Sequence, residues 1–386
     1  MGAPVTAAGH AALWSGARAA RRMVIKVGSS LLVDGKTGLQ RAWLDALADD
    51  IAHLAGQGRQ IIVVSSGAIA LGRRRLGLNA RPRSLTDAQA CAAVGQIALA
   101  QSWTAALARH DLAAAQMLLT LADLEGRRTY LNARETLERL LKLRAVPVIN
   151  ENDSTATEEI RFGDNDRLAA RVAQMMAADL LILFSDIDGL YSADPARDQT
   201  ACFIPEVSGV STQVEAMAGG AQATGIGSGG MVTKLAAARI ATEAGVAMLI
   251  ARGSLEHPLR RLEEGGRATL FHPVRSRRDA RKLWIAGRLR LAGRLIIDDG
   301  AIAALKSGKS LLPAGLVAVE GDFERGDAVA ISDREGRLIA RGLAAYDGAE
   351  ARALIGAKSG EIAARLGYGR TDELVHRDDL VLEASR

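Results

Sequence analysis

Short apolar runs alternate with longer Ala-rich segments of helical period through the first 270 residues, and nothing else in the chain restricts the fold as much. The runs at 23–27, 60–64, 145–149, 180–184 and 246–251 are nearly continuous Val, Ile and Leu, the texture of strands buried on both faces. Between them, segments 41–55, 89–108, 134–142 and 167–177 repeat apolar residues every three to four positions. The pattern predicts an α/β domain with helices on both faces of a mostly parallel sheet.

After Leu291 the texture changes. Gly293–Ile297, Leu316–Glu320, Ala328–Ser332 and Leu338–Leu343 are strand candidates separated by turn signals such as Asp298-Asp299-Gly300 and Arg334-Glu335-Gly336. They predict a small β-rich domain with one or two helices. Residues 275–291 carry seven basic side chains against Asp279 alone, whereas 292–370 balances eleven against eleven. The expected organisation is therefore a tail (1–22), an α/β domain (23–274), a basic linker (275–291), a β-rich domain (292–370) and a C-terminal tail (371–386). The tail lacks the apolar core of a secretory signal, and Met23 is an alternative start. No apolar run is expected to span a membrane, because Arg239, Glu243 and Asp179 interrupt the best candidates. Two cysteines, Cys91 and Cys202, offer no disulfide framework and no zinc spacing, which favours the cytoplasm.

Polar clusters follow the apolar runs. The first leads into Lys26, Gly28, Ser29 and Ser30, the second into Ser65, Ser66 and Gly67. The run at 145–149 leads into Asn150, Glu151, Asn152 and Asp153, and the run at 180–184 into Ser185 and Asp186. In open α/β sheets ligands bind beyond the carboxyl ends of the strands, so four such clusters point to one site. Lys26 lies inside an apolar run, where an unpaired ammonium is costly to bury. It either faces solvent from an edge strand or aims a cation at a phosphoryl group. In Gly163-Asp164-Asn165-Asp166, one residue can cap the following helix. Asp166 can also lie between two lysines and orient both.

The segment 225–234, Gly-Ile-Gly-Ser-Gly-Gly-Met-Val-Thr-Lys, is rich in open backbone and runs into a helix-forming stretch. Backbone amides, a helix N-terminus and Lys234 together suit a polyphosphate. Gly225, Gly227 and Gly230 also fit a dinucleotide fingerprint, but a loop precedes them and the first acidic residue after them, Glu243, comes too early. Taken alone, the segment fits a ligand-free linker equally well. Two further matches are incidental. Gly308-Lys309-Ser310 lacks the earlier glycine of a P-loop, since position 303 is Ala303. His376-Arg377-Asp378 is similar to a kinase catalytic loop but has no partner motifs.

With these residues in place, the chain strongly resembles the amino acid kinase family from Val24 to about Asp379. The resemblance rests on Val-Ile-Lys-Val-Gly-Ser-Ser at 24–30, Ser-Ser-Gly-Ala-Ile-Ala-Leu-Gly at 65–72, Val-Gly-Gln at 94–96, Val-Pro-Val-Ile-Asn-Glu-Asn-Asp at 146–153, Gly-Asp-Asn-Asp at 163–166, Ser-Asp-Ile-Asp-Gly-Leu-Tyr at 185–191 and the 227–234 loop. It implies an αβα sandwich followed by a small β domain of the PUA type. It also implies phosphorylation of the γ-carboxylate of L-glutamate by ATP with Mg²⁺, in proline synthesis. Carried over by position, Lys26 and Lys234 neutralise the transferring phosphoryl group and Asp166 organises them. Ser66, Asp153 and Asn165 bind glutamate. Lys26, Gly28, Ser185, Asp186, Ser228, Gly229, Gly230, Met231, Val232, Thr233 and Lys234 hold ATP. Family members usually have Thr at the position of Ser185, which keeps the hydroxyl. The resemblance further implies proline as a feedback inhibitor and a homo-oligomer, dimer or tetramer. The balanced charge of 292–370 argues against RNA as a partner.

Overall fold

In the computed structural model, residues 19–35, 38–78, 82, 84–155, 164–218, 230–276, 291–368 and 371–383 are described. The chain divides into two compact units. One runs through Leu124 and resumes from Ala133 to Arg275; the other takes Glu125–Asn132 and the chain from Ser276 onward.

The first unit is built on an eight-stranded sheet: β1 (Arg22–Val27), β2 (Gln60–Ser65), β3 (Ala114–Leu119), β4 (Val146–Glu151), β5 (Leu180–Ser185), β6 (Glu206–Val207), β7 (Ala247–Arg252) and β8 (Ala268–Phe271). Their order is β6-β8-β7-β5-β1-β2-β4-β3. The six strands from β7 to β3 are parallel, and β8 is antiparallel to β7. The principal helices are α1 (Arg41–Gly56), α2 (Ala68–Arg75), α3 (Leu85–Ala108), α4 (Arg127–Lys142, of which this unit takes the part from Ala133), α5 (Asp164–Met175) and α6 (Met231–Glu243). Period-two alternation sorts the central strands between the layers. Met23, Ile25 and Val27 join Ile61, Val63, Ile182 and Phe184 in one core with Leu44, Leu47 and Ile51 of α1 and Leu99 and Trp103 of α3. Residues of the opposite parity face α5, which packs across β1, β2 and β5 and against α6. The first unit is thus an αβα sandwich.

Sequence and structure differ at three places here. β3 and β8 are strands that no apolar run announces. β3 is the sheet's edge and buries only Leu119 fully, so its pattern is weak. β8 has four residues and follows a short helix. The third place is α3. At 24 residues it is long and apolar enough, by length and composition, to cross a membrane. Its apolar residues recur every three to four positions and bury Cys91, Ala92, Leu99, Trp103, Ala106 and Leu107 in the protein core. β1 opens on Arg22, whose guanidinium lies 2.6 Å from Glu138 and whose backbone N–H donates to Asp179 at 2.8 Å; a chain starting at Met23 lacks these bonds.

The second unit holds a five-stranded sheet of β9 (Gly293–Ile297), β10 (Leu316–Glu320), β11 (Ala328–Ser332), β12 (Leu338–Leu343) and β13 (Leu380–Leu382), ordered β10-β9-β11-β12-β13. β9 and β11 are parallel; the other neighbours are antiparallel. Leu295, Ile297, Val329, Ile331, Phe323 and Tyr346 anchor its own hydrophobic cluster. Most of the basic linker, 277–290, lies outside the described residues.

Candidate active site

Lys26 is the next-to-last residue of β1, paired in register with Val64 on one side and Leu183 on the other. It therefore sits in the middle of the sheet, not on an edge strand, and is only 6% exposed. Its parity is that of Val24, so its side chain emerges on the α5 face. There it meets Asp166, the third residue of α5 and fully buried. Lys26 Nζ lies 2.5 Å from Asp166 Oδ1, and Lys234 Nζ, from the first turn of α6, lies 3.4 Å from Oδ2. The single proton of the Thr233 hydroxyl is shared between the same Oδ2 and the Gly230 carbonyl oxygen, each 2.9 Å away.

Two buried ammonium groups thus share one buried carboxylate. Burial pushes the Asp166 carboxyl up, but the charges of Lys26 and then Lys234, with hydrogen bonds from Lys26 and Thr233, outweigh it and hold it below the usual carboxylate range. Burial pushes the Lys234 ammonium below the ordinary lysine value, and the charge of Lys26 adds to this against the pull of Asp166. The cluster keeps one surplus positive charge where water screens it poorly. Such a site gains most from an anion.

One residue earlier on α5, the geometry serves a different set of partners. Asn165 Nδ2 donates to Ser66 Oγ at 2.8 Å and to Asn150 Oδ1 at 3.1 Å. Asn150 Nδ2 in turn donates to Gln96 Oε1 on α3 at 2.8 Å. Asn165 Oδ1 is buried and has no hydrogen-bond partner among the described residues. Ser66 is held by its own N–H, which donates to Val27 O at 3.0 Å. Its neighbour Ser65 accepts from Trp103 Nε1 at 3.0 Å. Gly67 follows at φ 111°, a conformation that needs glycine and lets α2 begin at once. Asp153 is 8% exposed in the turn after β4; the next segment, 156–163, lies outside the described residues.

At the end of β5, Ser185 Oγ donates to Asp186 Oδ1 at 2.9 Å, and Ser185 O accepts from Gly253 N at 2.7 Å. Gly28 is extended (φ −74°, ψ 155°), so its lack of a side chain matters for space only: a Cβ there stands 3.7 Å from Lys26 Nζ. Ser228 and Gly229 lie outside the described residues. Gly230 is extended at the N-cap of α6, followed by Met231, half-exposed Val232, Thr233 and Lys234.

The sequence left three contributors unassigned: Gln96, Asn150 as a hydrogen-bonded member, and Trp103. A signal was present. Gln96 is a polar residue one step beyond a buried glycine in a stretch, 90–100, that is otherwise apolar, and Trp103 lies two turns further along the same face. Their partners, though, sit on other strands, which local spacing does not reveal.

A family model described as the amino acid kinase family matches residues 21–252, and one described as the PUA domain matches 293–366. The glutamate 5-kinase of Paramagnetospirillum magneticum is 58% identical over 366 residues, spanning 95% of this chain and 98% of that protein. Glutamate 5-kinase 1 of Mesorhizobium japonicum is 59% identical over 362 residues, 94% of this chain and 96% of that one. A solved UMP kinase from Bacillus anthracis aligns with a TM-score of 0.45 at 14% identity, over 66% of this chain and 96% of its own.

Proposed function

The chain belongs to the amino acid kinase family, and from that premise we propose that it transfers the γ-phosphoryl group of ATP to the γ-carboxylate of L-glutamate, giving γ-glutamyl phosphate as the first step of proline synthesis. Similarity to glutamate 5-kinases along nearly the whole chain supports the choice of acceptor. The observation that carries the chemistry is the buried surplus of positive charge around Asp166.

A γ-carboxylate is ionised at neutral pH and needs no general base. One of its oxygens attacks the γ-phosphorus while the bond to the ADP oxygen breaks, and ADP leaves with the electron pair. Catalysis then rests on positioning and on stabilising charge over the equatorial oxygens. Lys26 and Lys234 supply that charge. Asp166 takes no proton; it holds the two ammonium groups apart and aimed. Ser66, Asp153 and Asn165 bind glutamate, with the Asp153 carboxylate and Asn165 Oδ1 suited to its ammonium. Gly28, Ser185, Asp186 and residues 228–234 hold ATP.

Among the described residues no cluster of three or more His, Cys, Asp or Glu side chains is built to cage a metal. Mg²⁺ needs no such cage when it is carried on the phosphates, where it neutralises their charge. Both oxygens of Asp166 are engaged by lysines, so Asp166 would not be a ligand of the ion. Proline acting as feedback inhibitor near the glutamate subsite, and assembly into a homo-oligomer, complete the reading. Competition of proline with glutamate in rate assays and light scattering check them.

The deciding experiment offers ATP with glutamate, aspartate or N-acetylglutamate in parallel and traps any acyl phosphate with hydroxylamine. Hydroxamate formed with glutamate, and little with the others, is the expected result. Preference for aspartate or N-acetylglutamate overturns the reading.

A further inference from the structure

We infer that Gln96 is a positioning residue of the acceptor site, acting through Asn150 on Asn165. The inference rests on the proposed glutamate kinase reading and goes beyond it, because Gln96 lies on α3, outside the strand-end clusters.

Three side-chain amides form one directional chain. Gln96 Oε1 accepts from Asn150 Nδ2, Asn150 Oδ1 accepts from Asn165 Nδ2, and Asn165 Nδ2 also reaches Ser66 Oγ. A primary amide has a donor end and an acceptor end, so fixing one end fixes what the other presents. Asn150 is 2% exposed, which makes an unmatched end costly. With the Gln96 oxygen turned toward it, Asn150 presents its own oxygen to Asn165. Asn165 must then turn its nitrogen inward and keep its oxygen, Oδ1, for whatever enters the site. Gln96 thus closes the far end of a chain whose near end, Asn165 Oδ1, offers the site an acceptor, the partner an ammonium group requires.

Two features show that α3 is seated for this task. Gly95, beside Gln96, lets the helix meet α2 so closely that a Cβ there would lie 1.8 Å from the Ala68 carbonyl oxygen. Two turns on, Trp103 Nε1 donates to Ser65 beside Ser66. One helix therefore braces the ends of both β2 and β4.

The test compares Gln96→Leu, which removes the acceptor, Gln96→Glu, which keeps one, and Gln96→Lys, which offers only a donor. Loss of one buried amide partner corresponds to roughly a tenfold change in affinity or more. Gln96→Leu and Gln96→Lys are expected to raise KM for the amino-acid acceptor by about tenfold or more, with kcat and KM for ATP within about twofold of wild type. Gln96→Glu is expected to stay within about threefold for all three constants. Thermal melts check that each variant is folded, and Gln96→Met replaces Gln96→Leu if the latter is not. Acceptor KM unchanged in Gln96→Leu, or Gln96→Glu as impaired as Gln96→Leu, overturns the inference. Wild-type specificity reports separately on the proposed function. If another acceptor in the panel is preferred, the same variants are compared on that acceptor.

Discussion

Among the described residues, Asp166 alone stands between two buried ammonium groups, 2.5 and 3.4 Å away. Breaking a buried pair leaves an uncompensated charge. Asp166→Asn is therefore expected to lower stability by about 3 kcal/mol in denaturant unfolding at pH 7. The same variant should lower kcat by roughly 100-fold, because neither lysine keeps its aim. The signs of the pH effects differ between the partners. The Asp166 carboxyl is lowered on folding, so its stabilising contribution is full above the ordinary carboxylate range and is lost only as pH falls through its depressed value. The Lys234 ammonium is also lowered, which means it releases its proton below the ordinary lysine value. The alkaline limb of kcat should therefore begin at lower pH than a free lysine predicts. In Lys234→Arg, which stays protonated, that limb should move to higher pH; an unmoved limb would tie it to another group. Lys26 was legible in the sequence as an ammonium inside an apolar run. Which way it points was not, because facing α5 depends on β1 lying between two paired strands.

At the scale of elements, the crossing of α2 and α3 is set by two glycines. A Cβ on Gly72 would lie 1.7 Å from the Cys91 carbonyl oxygen, and one on Gly95 1.8 Å from that of Ala68. Gly95→Ala gains helix propensity but forces the helices apart, for an expected net loss of about 2 kcal/mol. Urea unfolding measures it, and a rise in acceptor KM should accompany it, since Gln96 and Trp103 move with the helix. The central strands were readable because burial on both faces makes them continuous apolar runs. β3 and β8 were not readable for the converse reason, an edge position or a length of four residues. Helix α5 was readable from its period, and the family resemblance separated the roles of Asn165 and Asp166, but the contacts behind that separation were not readable. Asn165 and Asp166 are successive residues about 100° apart around the axis, so one reaches Ser66 and the other Lys26.

At the scale of the whole molecule, the two units keep separate hydrophobic clusters, one around β1, β2 and β5 and one around β9 and β11. A cavity in one core should loosen that unit first. Ile331→Ala is expected to cost about 3 kcal/mol and to speed amide exchange in β9–β13 while β1, β2 and β5 keep their protection. Uniform loss of protection would show that the two units unfold as one. The alternation of apolar runs and helical segments determined the layered α/β architecture, because burial period is a local property of the chain. The change of texture after Leu291 likewise marked a separate β-rich unit. Strand-end position marked Lys26, Ser66 and Ser185. Only the tertiary structure decided which of these groups meet. Lys26 and Asp166 are 140 positions apart, and the chain from Gln96 to Asn150 to Asn165 joins three elements. Contacts at such separation are fixed by strand order and helix crossing, and neither is written in local spacing.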